Sequence, residues 1–294
     1  MSQPRLKGVI AAAATPITRA QEPDLDRFVA LCKWLLDESC DALNICGTTG
    51  EATSFSVQQR MAVMSAAAER GVPLARLMVG TGAAAVADAV TLTKHAASLG
   101  FAGALLLPPF YYKGVSDDGI IAYFERIVTA TRDKPVPLYL YNFPALSGVE
   151  YTPVLVRRLI ETFGDRMRGL KDSSGNMDYA KAVAAISPSF DVFPSTEAVL
   201  LDARAGKFAG CISASANVNS ALCGRAFRDG DKAALETAVK IRGLVSRQPL
   251  IPSIKAVLAD LRRDPAFDAL MPPLSPLPKA EKEQLLRDYR AARG

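Results

Sequence analysis

The chain has a single histidine, a single tryptophan and five cysteines in 294 residues. With only His95 and no Cys-x-x-Cys pair, it lacks the ligand spacing of a zinc site. The odd cysteine count (Cys32, Cys40, Cys46, Cys211, Cys223) argues against a disulfide framework. Reduced, mostly buried thiols in a cytosolic protein fit better. Charge excess is small: 35 basic residues against 30 acidic ones give +5. It is spread along the chain apart from Arg287, Arg290 and Arg293 near the end. No basic run is interleaved with aromatics, so no nucleic-acid partner is expected. No apolar run approaches the length of a membrane span. The run Val9–Ala14 behind Arg5 and Lys7 has a faint signal-peptide character, but it is short and Thr15-Pro16 ends it. It reads as a first strand.

What the chain does have is ample apolar residue content, 49%, and a regular alternation. Short β-rich runs are each followed by a stretch of helical periodicity. Strands are expected at Gly8–Thr15, Ala42–Cys46, Leu77–Gly80, Gly103–Leu107, Val136–Tyr141, around Gly169–Lys171, at Asp191–Phe193 and at Gly210–Ser213. The paired helices are Asp24–Glu38, Ser56–Arg70, Val86–Leu99, Ser116–Thr131, Pro153–Phe163, Asn176–Ile186, Glu197–Ala205 and Asn217–Arg228. Alternation of this kind implies a parallel sheet with helical crossovers. Eight units over this length suit an α/β fold, the closed (β/α)8 TIM barrel, with an open doubly wound sheet as the alternative. The barrel should occupy residues 1–228. Residues 229–294 should form a three-helix extension packed on it: Lys232–Ser246, Ile254–Arg263 and Ala280–Ala292. Pro249 and Pro252 mark the first break, and the proline-rich Met271–Pro278 marks the second.

In such barrels the active site lies at the C-terminal ends of the strands. Four informative segments fall there. Gly47-Thr48-Thr49-Gly50-Glu51 follows the second strand, and Pro108-Pro109-Phe110-Tyr111-Tyr112-Lys113 follows the fourth. Tyr141-Asn142 ends the fifth, and Lys171 ends the sixth. A lysine in a partly dry barrel mouth has its pKa lowered, and the neutral amine is a nucleophile toward a ketone. Taken alone, Lys171 reads first as a lysine whose head reaches solvent at the strand mouth; its convergence with the other three segments turns the reading to chemistry. The Gly-Thr-Thr-Gly loop can offer backbone N–H groups and two hydroxyls to a small carboxylate. It lacks the lysine and spacing of a P-loop. Tyr141 is either core filler or a proton relay beside Lys171. Strand alternation should turn Asp172 away from Lys171, and His95, inside a helix, reads as structural.

Together these segments resemble the dihydrodipicolinate synthase / N-acetylneuraminate lyase family of Schiff-base-forming class I aldolases. The resemblance runs through Thr15-Pro16, Gly47–Glu51, Gly80-Thr81-Gly82, Pro109-Phe110-Tyr111, Tyr141-Asn142-Phe143-Pro144, Gly169-Leu170-Lys171-Asp172 and Gly210-Cys211-Ile212-Ser213. It implies a barrel with a helical extension, assembled as a homotetramer (a dimer of dimers). It implies Lys171 as the imine-forming lysine for pyruvate or another 2-oxo acid, and Tyr141 as proton shuttle. Thr48 and Thr49, with Gly47, would bind the carboxylate. Thr48 would also link Tyr141 to a second tyrosine, Tyr111, supplied across a subunit interface, and the Ile212 carbonyl would face the substrate. No metal or organic cofactor is implied, because the imine is the electron sink.

Two departures bear on substrate. Synthases of the family carry an arginine two residues after the proline of the Tyr-Asn motif; Leu146 stands there. The family's sialic acid lyases carry an acidic pair after the seventh strand; here the segment is Pro194-Ser195-Thr196-Glu197. The leading expectation is therefore a 2-oxo acid aldolase, lyase or dehydratase acting on a 2-keto-3-deoxy sugar acid or related hydroxy-oxo acid. Leu146, Ser195, Thr196 and Ser213 would line the aldehyde end. The alternatives are dihydrodipicolinate synthase, condensing pyruvate with aspartate semialdehyde, N-acetylneuraminate lyase, and a barrel retained only as a ligand sensor or assembly part.

Overall fold

The structure is a computed structural model, and it describes residues 5–294. Eight parallel strands form one sheet in the order β7-β6-β5-β4-β3-β2-β1-β8. They are β1 (Gly8–Ala12), β2 (Ala42–Ile45), β3 (Leu77–Gly80), β4 (Gly103–Leu106), β5 (Leu138–Asn142), β6 (Met167–Asp172), β7 (Asp191–Pro194) and β8 (Gly210–Ser213). The Ala209 N–H donates to the Val192 carbonyl at 3.0 Å, which brings β8 back to β7. The sheet is thus a TIM barrel.

Helices cross between the strands: α1 (Leu25–Asp37), α2 (Val57–Glu69), α3 (Val86–Leu99), α4 (Asp117–Ala130), the single turn α5 (Pro144–Ser147), α6 (Pro153–Phe163), α7 (Met177–Ala184), α8 (Leu200–Arg204) and α9 (Ala216–Asp229). Side-chain caps set many of the starts. Asp24, Ser56, Ser116, Thr152 and Asn176 each accept from a backbone N–H of the first turn. Such caps satisfy donors that have no partner within the helix.

Period two along the strands separates two cores. Val9, Ala11, Leu43, Ile45, Leu170, Val192 and Cys211 face outward into the main cluster with the helices. Ile10, Ala12, Met78, Leu105, Tyr139, Tyr141, Phe193 and Ile212 form the barrel interior. The floor is filled by Tyr139: a Cβ on Gly103 would meet its ring at 2.6 Å, and one on Gly169 at 2.9 Å. Below it, Arg5 Nη2 donates to Asp191 Oδ1 at 2.5 Å and Nε to Oδ2 at 3.0 Å.

The extension comprises α10 (Lys232–Val245), α11 (Leu250–Arg262) and α12 (Lys279–Arg293). Ile241, Val245, Ile254, Val257 and Tyr289 belong to the same apolar cluster as the outer faces of the strands. Tyr289 Oη donates to the Val218 carbonyl at 2.7 Å.

Two local expectations are corrected, and one element is added. The expected helix Glu197–Ala205 is a 3-10 turn, Glu197–Val199, followed by the short α8. Pro252 does not interrupt the chain: it sits in the first turn of α11, whose N–H groups need no helical acceptor. The turn α5 was not anticipated; Pro144 at its first position supplies the preset φ that starts it.

Candidate active site

Parallel register places Tyr141 beside Lys171, and Lys171 beside Phe193, at one level near the C-terminal end of the barrel. Lys171 and Tyr141 are each 3% exposed. Lys171 Nζ lies 4.2 Å from the centre of the Tyr141 ring. A cation there gains from the ring's quadrupole. Tyr141 Oη in turn lies 3.2 Å from Thr48 Oγ1. Lys171, Tyr141 and Thr48 therefore form one continuous line from β6 through β5 to the loop after β2.

Asp172 is on the other face of β6. Its Oδ1 accepts from Asn142 Nδ2 at 2.9 Å, and its Oδ2 from Ser174 Oγ at 2.9 Å. Among the described residues, that carboxylate is thereby committed outside the barrel, and the interior amine keeps no acid beside it.

The Gly47–Glu51 loop is a tight turn. The Glu51 N–H donates to the Thr48 carbonyl at 3.0 Å, and the Ala52 N–H to the Gly47 carbonyl at 3.2 Å. Cys46 and Glu51 bracket it with φ of 50° and 55°, left-handed values that are uncommon outside glycine. Gly47 is required by close approach, since a Cβ would lie 2.7 Å from Asn44 Oδ1. Thr49 is buried and Thr48 partly exposed. A small cavity beside the turn is lined by Cys46, Gly47, Thr48, Arg60, Gly80 and Tyr141. Arg60 is buried, with its guanidinium on the Gly80 and Gly82 carbonyls at 2.8 and 3.2 Å. Burial pulls its pKa down and pushes the neighbouring Cys46 thiol up to about 11.

The other expected residues are placed less uniformly. Ile212 is fully buried in the barrel interior. Leu146 is 63% exposed on α5. Ser195 and Thr196 line an open cavity with Asp172, Ser174 and Arg242, but Thr196 Oγ1 is engaged in capping, accepting from the Ala198 N–H at 3.3 Å. Tyr111 is 76% exposed, edge-on to Tyr112, and within one chain it does not join Tyr141 and Thr48. Lys113 Nζ ties this rim to α5 by donating to the Ser147 carbonyl at 2.6 Å. His95 bonds Ser65 at 3.0 Å between α2 and α3, a structural contact.

Ser213 is a correction. Ile212 faces inward, so Ser213 faces outward, paired in register with Ala11. Its hydroxyl donates to Glu197 Oε1 at 2.8 Å and accepts from Arg242 Nη1 at 3.0 Å. It belongs to a buried network behind the barrel wall and offers nothing to a ligand at the mouth.

Two charged pairs with buried carboxylates escaped the sequence reading. Glu197, fully buried, meets Arg242 of α10 at 3.3 Å. Glu51 meets Lys255 of α11 with neither side chain more than 1% exposed. Desolvation lowers the Lys255 pKa, and the Glu51 charge opposes that shift. The signal was present in Leu250-Ile-Pro-Ser-Ile-Lys-Ala-Val-Leu258, where one charge sits in an otherwise apolar helix.

The chain is similar to known proteins along nearly its whole length. Residues 5–292 match the model of the dihydrodipicolinate synthetase family. An uncharacterized DapA-like lyase of Chloroflexus aurantiacus is 32% identical, over 98% of this chain and 97% of its own. The crystal structure of dihydrodipicolinate synthase from Agrobacterium tumefaciens superposes with a TM-score of 0.90 at 26% identity, covering 97% of this chain and 99% of that one. YagE of Escherichia coli, described as a putative 2-dehydro-3-deoxy-D-gluconate aldolase, was crystallised with pyruvate. That structure gives a TM-score of 0.87 at 27% identity over 98% of both chains. Fold, strand-end residues and whole-chain similarity lead to one assignment: the chain belongs to the dihydrodipicolinate synthetase family of lyases and aldolases.

Proposed function

We propose that this protein is a lysine-dependent 2-oxo acid lyase whose preferred substrate is a 2-keto-3-deoxy sugar acid or a related hydroxy-oxo acid. The observation that carries the reading is the line from Lys171 Nζ through the Tyr141 ring to Thr48, with no acid paired to the amine among the described residues. Lys171 attacks C2 of the oxo acid, and loss of water gives an imine. Tyr141 moves the protons of both steps, with Thr48 as its hydrogen-bonded partner. The N–H groups and hydroxyls of the Gly47–Thr49 turn receive the carboxylate. In cleavage, the C4 hydroxyl gives up its proton toward Tyr141 and the C3–C4 bond breaks. Its electron pair passes to the imine as an enamine, and the aldehyde leaves. Protonation at C3 and hydrolysis then return pyruvate and the free amine. The chain's own lysine is the electron sink, so no further cofactor is called for.

Leu146 supports the choice of substrate. An exposed leucine at the rim gives no ion pair to an anionic aldehyde, whereas a neutral polyol aldehyde needs only hydroxyl partners such as Ser195. In a homotetramer, the exposed Tyr111 and Tyr112 would be covered by a neighbouring subunit, with Tyr111 reaching the partner's Thr48.

The test is reduction with borohydride in the presence of pyruvate. Wild type should gain one stable adduct, and Lys171→Ala none. Equal labelling of the two would remove Lys171 from the chemistry. A panel of keto-deoxy sugar acids, sialic acid and aspartate semialdehyde then fixes the substrate. Condensation with aspartate semialdehyde as the fastest reaction would make the chain a 4-hydroxy-tetrahydrodipicolinate synthase instead.

A further inference from the structure

The turn that faces the substrate carboxylate is held from behind by the helical extension. Glu51 ends the turn, and both of its oxygens are used. Oε1 receives Lys255 Nζ. Oε2 receives the Met271 N–H at 2.7 Å. Lys255 Nζ also donates to the Ala269 carbonyl at 2.6 Å. Met271 packs with Ile17 and Phe55 in a small apolar cluster over this network. One carboxylate of the barrel is therefore fastened to two places in the extension, α11 and the segment 269–271.

Stability alone is a poor reason for such a pair. Dehydrating two charges costs several kcal/mol per ion, and apolar replacements of buried pairs are often neutral or stabilising. Nor does the extension need the pair in order to dock. Its Ile241, Val245, Ile254, Val257 and Tyr289 already lie in the main core. What the pair fixes is position. Only Thr49 and Gly50 separate Thr48 from Glu51, and the Glu51 N–H is bonded back to the Thr48 carbonyl. Glu51 itself holds a left-handed φ of 55°, a conformation that surrounding contacts must maintain. On its other side the turn rests on β1's end, where a Cβ on Gly50 would meet the Ala13 carbonyl at 3.0 Å. If Glu51 moves, Thr48 moves with it, and with it the 3.2 Å contact to Tyr141.

We infer that Glu51 and Lys255 are positioning residues: through them the C-terminal extension sets the geometry of the Thr48–Thr49 turn and hence the affinity for the 2-oxo acid carboxylate. This rests on the lysine-imine reading above. The measurement is borohydride trapping of pyruvate on the full-length protein, read as half-saturating pyruvate and as trapping rate at saturation. It is made for wild type, Glu51→Asp, and the neutral double variant Glu51→Gln/Lys255→Met, which keeps side-chain volume and leaves no unpaired charge. Glu51→Asp retains the charge but shortens the tether by one methylene.

Displacements of about 1 Å cost on the order of a hundredfold in well-aligned sites. Half-saturating pyruvate should therefore rise about tenfold or more in both variants, while the adduct still forms on Lys171 at saturation. A fully structural role predicts a lowered melting temperature with unchanged half-saturation in the folded protein, and that result overturns the inference. A double variant that does not fold also overturns it, because the pair would then be holding the fold rather than the turn. Wild type that traps no pyruvate at any concentration refutes the lysine-imine reading itself. Wild type that traps normally, beside variants that match it, refutes only the clamp.

Discussion

Removing one oxygen atom separates the two roles of Tyr141. In Tyr141→Phe the ring remains, so the packing in the barrel interior and the face presented to Lys171 Nζ at 4.2 Å are kept. The change deletes a single hydrogen bond, the 3.2 Å contact with Thr48 Oγ1. A neutral hydrogen bond contributes about 0.5–1.5 kcal/mol net, so the melting temperature should fall by only a few degrees. A lost proton-transfer group costs about 10²–10⁴ in rate, which is about 2.7–5.5 kcal/mol of barrier. The activity loss should thus exceed the stability loss by at least about 1 kcal/mol, and the two are measured on one sample. The assays are differential scanning calorimetry, steady-state cleavage of a keto-deoxy sugar acid, and rapid-quench borohydride trapping. Trapping should persist, more slowly, while turnover nearly stops. Thr48→Val should cost less than Tyr141→Phe, and the double variant should cost far less than the sum, because both remove the same contact. Turnover within about threefold of wild type in Tyr141→Phe, a gap of under about 1 kcal/mol, would return Tyr141 to the core and refute the proton-relay argument.

Further outcomes follow from the rim, the interface and the thiols. Leu146→Arg, at a position open enough for a long side chain, should raise kcat/KM for aspartate semialdehyde by about tenfold or more relative to a keto-deoxy sugar acid, the scale of one new charged contact. An unchanged ratio in paired steady-state assays would show that the aldehyde does not pass this rim. Mixing inactive Lys171→Ala with inactive Tyr111→Phe under subunit exchange should restore part of the activity, and a fully active monomer by light scattering would exclude a tyrosine supplied in trans. All five cysteines are buried, with burial pushing Cys46 up to about 11 and Cys40 up to about 12. None should react with Ellman's reagent at pH 8 until the chain is unfolded; rapid labelling of native protein would contradict the packing.

The eight β/α units were legible because each strand and helix carries its own period, and because caps such as Asp24 and Ser56 stand where helices begin. The line from Lys171 to Thr48 was legible because strand ends share one face of a barrel. Ser213 was misplaced although the same rule was available: alternation that turns Asp172 away from Lys171 also turns Ser213 away from Ile212. Pro252 was taken as a break because its position within the helix, not its identity, decides its effect. Lys255 left a local signal in its apolar surroundings, but its pairing with Glu51 did not. The partners are 204 residues apart, and only the packing of α11 against the turn after β2 brings them together. Tyr111 is beyond a single chain's geometry for a similar reason, since its expected partner lies on another copy.

The filled floor makes the barrel a cul-de-sac. Tyr139 takes the space left by Gly103 and Gly169, and Arg5 closes Asp191 beneath it. Among the described residues, the barrel interior on the floor side of Lys171 is packed, so a ligand of this lysine would enter and leave through the mouth. On the proposed lysine-imine reading, the aldehyde fragment would depart first, because the three-carbon fragment stays bonded to Lys171 until water hydrolyses the imine. An ordered product-inhibition pattern would follow from that tether, and the packing around Tyr139, two residues before Tyr141 on β5, would send both fragments out through the same mouth.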